Sequence, residues 1–300
     1  MSEGRILSIQ SHVVSGYVGN KCVTFPLQTL GFDVDAINSV QLSNHTGYKV
    51  VKGQILNEKD LEDLVSGLIE NSLHNYSHLL TGYVGSPTFL REISKTLGEL
   101  RKKNPNIVYV CDPVMGDNGK MYVPESLLEI YKTSIIPLAD IVTPNHYELE
   151  LLTGKPVKSL PDAWIAIDAL HDKGCKTVVI SSTDLGTKGN LLAIASSKTN
   201  GKREKLLMHI PLLDANFTGS GDLFTALFLA WMTKTGNNLR LSLEKTIGTE
   251  QAVLKRTLAR AKSVAGPGNK PSCEQLELRI VESKSDIENP DVQCKCEVIE

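Results

Sequence analysis

The chain has little of what several protein classes require. Aromatic residues are only 5% of its 300 positions and the formal net charge is −2. That leaves neither a row of stacking platforms nor a basic surplus, so no nucleic-acid partner is expected. Long apolar runs are missing too. The longest strongly apolar stretch, Ala226 to Met232, is far shorter than the roughly 20 residues that cross a bilayer, so no membrane partner is expected. Met1 to Gln10 carries no basic segment followed by an apolar core, and no signal peptide is expected. Six scattered cysteines, without an export signal, are expected to stay reduced. Cys294 and Cys296 lack a second pair or a nearby histidine, which argues against a metal pair.

Two nucleotide motifs are absent as well. Gly154-Lys155 has no upstream glycine in register and is followed by Pro156, which excludes a Walker A loop. Gly219-Ser-Gly221 is half of a dinucleotide fingerprint, but Phe224 stands at the third glycine position and the motif comes too late in the chain.

What is present is ordinary globular composition, 41% hydrophobic and 22% charged. No repeat, low-complexity tract or linker divides residues 1–300, so a single domain is expected. Short apolar runs at Arg5–Gln10, Asp33–Val40, His78–Tyr83, Ile107–Cys111, Asp140–Val142 and Thr177–Ser181 read as strands. Helical spacing fills the intervals, and Asn20 reads as the cap of a helix to Leu30. Asn190–Ala195 and Lys205–Ile210 read as a hairpin around Ser196–Glu204, and Leu276–Val281 as a closing strand. The alternation implies an α/β fold with a mostly parallel central sheet and helices on both faces.

The chemistry centres on Asn216–Phe224. Gly219, Ser220 and Gly221 precede Asp222 and an apolar helix running to Met232. Small residues let a ligand approach, and a helix start offers unpaired N–H groups to an anion. Asp222 then stands where a carboxylate could take a proton from an attacking hydroxyl. Read alone, Ser220 could equally be an N-cap and Asp222 a favourable first-turn charge.

Ligands of open α/β sheets bind beyond the carboxyl ends of the strands. Polar groups gather there: Ser11, His12, the Asn44-His-Thr46 loop, Asp112, Asp117, Thr143, Asn145, Glu148, Ser181 and Ser182. Asn145 and Glu148 also have capping-box spacing. Carboxylates at Asp112, Asp117 and Glu148 facing a phosphate loop would repel the phosphates without a cation between, which suggests Mg²⁺ and phosphoryl transfer.

Gly219-Ser-Gly-Asp222 resembles the Gly-[Thr/Ser]-Gly-Asp signature of the ribokinase-like superfamily. Ser8–His12, Gly16–Asn20, Asn38–Gln41, Ser43–Tyr48, Thr81–Tyr83, Tyr109–Val114, Thr143–Asn145 and the tail motif Gln275–Arg279 are similar to the pyridoxal kinase family, its animal members above all. The likeness spans essentially the whole chain. It implies a ribokinase-like fold and ATP-dependent phosphorylation of the 5′-hydroxymethyl group of pyridoxal, pyridoxine and pyridoxamine. Asp222 would be the base, and Gly219, Ser220 and Gly221 the anion hole. Ser11 and Thr46 would hold the ring's polar groups, with Val40, Leu42 and Tyr83 lining its pocket. Asp112, Asn145, Glu148, Ser181, Ser182, Ser220 and Leu213–Ala215 would face ATP. Asp117 and Glu148 would lie near Mg²⁺ or another divalent ion such as Zn²⁺, and Asp112, Thr143 and Ser181 near K⁺. The resemblance further implies a cytoplasmic homodimer.

The pattern is not kept throughout. Thr218 and Ser220 stand where vertebrate members have Val and Thr, and Ser keeps the hydroxyl. Leu42 replaces an aromatic that can face the ring, and the lid Asn118–Met121 is several residues shorter. These departures bear on ring stacking and on closure over the nucleotide. Two competing functions share these features: a kinase of the same superfamily acting on hydroxymethylpyrimidine or a sugar, and a non-catalytic vitamer-binding protein.

Overall fold

The structure, a computed structural model, describes residues 4–199 and 201–299. Strand β1 (Arg5–Val13) pairs in parallel with β2 (Asp33–Leu42) on one side and with β4 (His78–Thr81) on the other. From β4 the parallel order continues through β5 (Val108–Cys111), β8 (Ile141–Val142) and β9 (Thr177–Thr183). The flanks are antiparallel. β3 (Gly53–Ile55) borders β2, and the hairpin β10 (Asn190–Thr199) and β11 (Lys202–Pro211) extends β9, closed by β12 (Glu297–Val298). Apart from this sheet, β6 (Gly116–Asp117) and β7 (Lys120–Met121) form a small hairpin.

Neighbouring strand residues point to opposite faces, and here both faces are covered. Leu7, Ile9, Leu79, Tyr109 and Val178 enter one core. Ile6, Leu80, Val110 and Val179 enter the other. The first core is covered by α2 (Glu58–Glu70), α3 (Pro87–Lys103), α4 (Ser126–Ile130), α5 (His146–Thr153) and α6 (Leu160–Asp172). The second is covered by α1 (Asn20–Thr29), α7 (Ser220–Lys234), α8 (Leu239–Ala265) and α9 (Lys284–Glu288). α7 packs against both α1 and α8, so Leu223 through Met232 are all buried. That accounts for a helix that is apolar all round.

β1 is where the strand order reverses: β2 lies to one side and β4, β5, β8 and β9 to the other. The crevice beyond the carboxyl ends at such a reversal is the preferred ligand site of open α/β sheets.

Two expectations are corrected. Leu276–Val281 is no strand; Leu278 and Ile280 are fully buried, but on irregular and turn backbone, and the closing strand is β12. Asn20 does not cap α1. Gly19 holds that position, and the buried Asn20 side chain donates to the Ile37 carbonyl and to Asn38 Oδ1 while accepting from Ser8 Oγ. The short lid is the β6–β7 hairpin, turned by Asn118 at φ 49° and Gly119 at φ 74°. Asn-Gly with both φ positive is the turn that suits a tight two-residue hairpin. The β10–β11 hairpin is present and longer than expected; Asn200, within the predicted Ser196–Glu204 loop, lies outside the described residues.

Candidate active site

Backbone comes first. α7 begins at Gly219, whose φ of 87° is left-handed, and no side chain caps the helix. Ser220 is therefore the first helical residue and not an N-cap. Leu223 N–H returns to the Gly219 carbonyl, but those of Ser220, Gly221 and Asp222 find no partner among the described residues. They form the anion-attracting helix start the sequence suggested. Gly219 is required twice over: a Cβ there would also run into the Tyr17 carbonyl of the β1–α1 turn.

That turn reaches back to the acid. Gly19, at φ 52°, donates its N–H to Asp222 Oδ2 at 2.8 Å. A Cβ on Gly19 would collide with the Ser11 carbonyl. Ser11, Gly19 and Asp222 are thus packed together at the sheet's reversal point. Ser11 follows a register shift in the β1–β2 pairing, which re-aims the end of β1. Asp222 is partly exposed, yet loss of solvation pushes its carboxyl from an ordinary 3.8 to about 6, with the Gly19 N–H opposing the rise.

Beneath the glycine loop lies Asp112, just past β5. A Cβ on Gly221 would sit 3.8 Å from its Oδ2. Thr225, one turn into α7, donates to Asp112 at 3.3 Å and shares a 2.8 Å hydrogen bond with Thr143. Burial raises the Asp112 carboxyl well above the carboxylate range, reinforced by the charges of Glu148 and Asp222. Asn145 and Glu148 do form a capping box on α5. Glu148 does more: Oε1 accepts from Met115 N–H at 2.8 Å and from Gly116 N–H at 3.4 Å, while Asn145 Nδ2 donates to the Gly116 carbonyl. The pair binds the root of the lid hairpin to α5. Glu148 is pushed up to about 7 by burial, against three backbone N–H bonds that favour its ionised form.

Ser181 and Ser182 are half-buried at the end of β9, beside Thr183, which shares a 2.6 Å hydrogen bond with His146. Leu213 and Ala215 are half-buried in the segment joining β11 to α7. Val40 is buried and Leu42 half-buried on β2. Tyr83 follows β4, its carbonyl accepting from Ser39 Oγ at 2.7 Å. Thr46 is exposed in the loop after β2. Asp117 is exposed on the hairpin, where it accepts from the backbone and side chain of Asn118.

No Lys, Arg or His forms an ion pair with Asp112, Glu148 or Asp222 among the described residues. Nor do any three His, Cys, Asp or Glu gather tightly enough to enclose a metal. Mutually repelling, hard oxygen donors without thiol or imidazole suit Mg²⁺, which commonly takes its other ligands from water and substrate phosphates. The sequence reading assigned no role to two contributors: the Gly19 N–H, although Gly19 lies in the quoted Gly16–Asn20 motif, and Thr225. A glycine ending the Gly16–Gly19 turn signals the first, and a threonine three residues after Asp222, on the same helix face, signals the second.

The phosphomethylpyrimidine kinase family matches residues 36–271. Pyridoxal kinase of Sus scrofa is 50% identical over 310 residues, covering 99% of this chain and 96% of the relative. Pyridoxal kinase of Homo sapiens is 48% identical over 309 residues, covering 99% of each. Among solved structures, pyridoxal kinase from Leishmania donovani in complex with ADP and pyridoxamine superposes with a TM-score of 0.92 at 34% identity, over 99% of both chains.

Proposed function

The chain belongs to the pyridoxal kinase family, and on that premise we propose that it phosphorylates the 5′-hydroxymethyl group of pyridoxal, pyridoxine and pyridoxamine with ATP. One observation carries the chemistry: Asp222 is fixed by Gly19 N–H at 2.8 Å beside Ser11, at the foot of a helix with unpaired N–H groups. The vitamer's 5′ oxygen forms a bond to the γ-phosphorus, the bridging bond to ADP breaks, and Asp222 accepts the hydroxyl proton. Such transfers proceed through a loose transition state, so positioning and charge neutralisation matter more than a strong base.

The N–H groups at Gly219–Asp222 receive the transferred group. Ser11 and Thr46 hold the ring, with Val40, Leu42 and Tyr83 around it. Asp112, Asn145, Glu148, Ser181, Ser182, Leu213 and Ala215 face the nucleotide. Asp117 and the Glu148 carboxylate would hold Mg²⁺, and Asp112, Thr143 and Ser181 a K⁺ ion, which together offset the phosphate charge. Family membership also supports a single domain over residues 1–300, a homodimer and a cytoplasmic setting. No helix among the described residues is long and apolar enough to cross a membrane.

The test is product formation from pyridoxal, ATP, Mg²⁺ and K⁺, with hydroxymethylpyrimidine and ribose in parallel. Pyridoxal 5′-phosphate that disappears on chelation supports the reading. Turnover of the pyrimidine alone would keep the mechanism and replace the substrate. No turnover of any would favour a vitamer-binding protein.

A pH dependence follows from Asp222. It must be ionised to accept a proton, so kcat/KM rises as pH passes through about 6 and then levels off. Stability runs the other way. The folded state binds this proton more tightly than the unfolded chain does. The resulting stabilisation is complete below pH 3.8 and lost as pH rises through about 6. Rates across that range check the first claim, and urea unfolding of wild type against Asp222→Asn the second. A flat rate profile would remove Asp222 from the proton transfer.

A further inference from the structure

The tail motif Gln275–Arg279 has no part in the chemistry described above, yet one of its side chains reaches the site from the far end of the chain. Glu277 Oε2 accepts from Tyr17 N–H at 2.9 Å, in the turn that carries Gly19. Its Oε1 accepts from the Tyr48 hydroxyl at 2.9 Å and lies 3.3 Å from His45 Nε2. Gly47 N–H donates to His45 Nδ1 at 3.0 Å, so the proton of neutral His45 sits on Nε2, facing Glu277. His45 and Tyr48 also meet edge to face, with ring centroids 4.7 Å apart. The loop that presents Thr46 is therefore folded around His45 and pinned at both ends by one carboxylate. Gly16 marks how closely that carboxylate approaches, since a Cβ there would overlap it. Cys273 Sγ, 3.5 Å from the Gly47 carbonyl, adds a second contact from the tail to the same loop.

We infer that Glu277 is a positioning residue for the vitamer, clamping the Thr46 loop and the Tyr17–Gly19 turn into one rigid rim without touching the nucleotide. The inference rests on the proposed reading that Thr46 and Asp222 act on the vitamer. A carboxylate that accepts several hydrogen bonds at once is costly to remove, because each donor loses a charged partner. The vitamer side loosens, while the nucleotide groups on β5, α5 and β9 keep their own anchors.

The experiment is steady-state kinetics of the full chain with Glu277→Ala, Glu277→Gln and Tyr48→Phe, varying pyridoxal and ATP separately. Glu277→Ala is expected to raise KM for pyridoxal about tenfold, with a smaller rise for the other two variants. KM for ATP stays within about twofold in all three. Glutamine keeps one acceptor oxygen, so its partial rescue separates positioning from general destabilisation. If Glu277→Ala does not fold, the other two variants carry the test. An unchanged KM for pyridoxal in folded variants, or an equal rise for both substrates, overturns the inference and leaves the proposed activity standing. A wild-type chain that does not phosphorylate pyridoxal overturns both.

Discussion

Asp222→Asn lowers kcat by about 10²–10⁴-fold, while pyridoxal and ATP still bind. The substitution preserves volume and leaves an amide oxygen that can accept from Gly19 N–H, now at 2.8 Å from Oδ2. The junction between the β1–α1 turn and α7 therefore holds. What is lost is the group that takes the hydroxyl proton. Removing the charge also relieves Asp112, whose carboxyl is raised partly by Asp222. Turnover is read from product formation and binding from calorimetry with each substrate. Turnover near the wild-type rate would mean that the alcohol loses its proton elsewhere.

Gly219→Ala is expected to cost about 10²–10³-fold in kcat, the scale of removing one donor that stabilises developing negative charge. Two independent facts forbid the methyl group. The φ of 87° disfavours any L side chain, and the Cβ would strike the Tyr17 carbonyl. Relief requires the glycine loop to move away from the β1–α1 turn, taking the Ser220–Asp222 N–H groups and Asp222 with it. Gly236→Ala is the control. It lies just beyond the far end of α7 at φ 64°, with open space where its Cβ would be. It carries the same backbone strain without the collision, so it should lower the thermal midpoint and leave kcat unchanged. Similar kcat values for the two variants would assign the Gly219 loss to strain alone.

The legible parts of this molecule are those where one local signal suffices. An apolar run without a polar face announced α7, because a helix between a sheet and two other helices has no solvent side. Polar residues recurring after apolar runs marked the carboxyl edge of the sheet, where the site is proposed. Signals failed where the same pattern has two uses. Leu276, Leu278 and Ile280 alternate like a strand, but the fold buries the latter two without joining them to the sheet. β12 is two exposed residues on an edge, with no apolar pattern to betray it. Asn20 looks like a cap because caps are often asparagine, yet here its amide joins β1, β2 and α1. What Gly19 and Glu277 bind could not be read from their motifs, Gly16–Asn20 and Gln275–Arg279, for a deeper reason. Their partners lie 203 and 260 residues away, so only the folded topology brings them together.

Those separations also bear on how the protein is born. Synthesis delivers Ser11, Gly19 and the Thr46 loop first, while the acid and its helix come two hundred residues later. The carboxylate that pins the early loops arrives later still, beyond α8. A nascent chain stalled after α8 would own every central strand, the glycine loop and Asp222, and still present a slack rim to its vitamer. The vitamer rim is thus completed only once Glu277 has been made. Fragments that stop before Glu277 would compete poorly with chains that carry it for the same substrate.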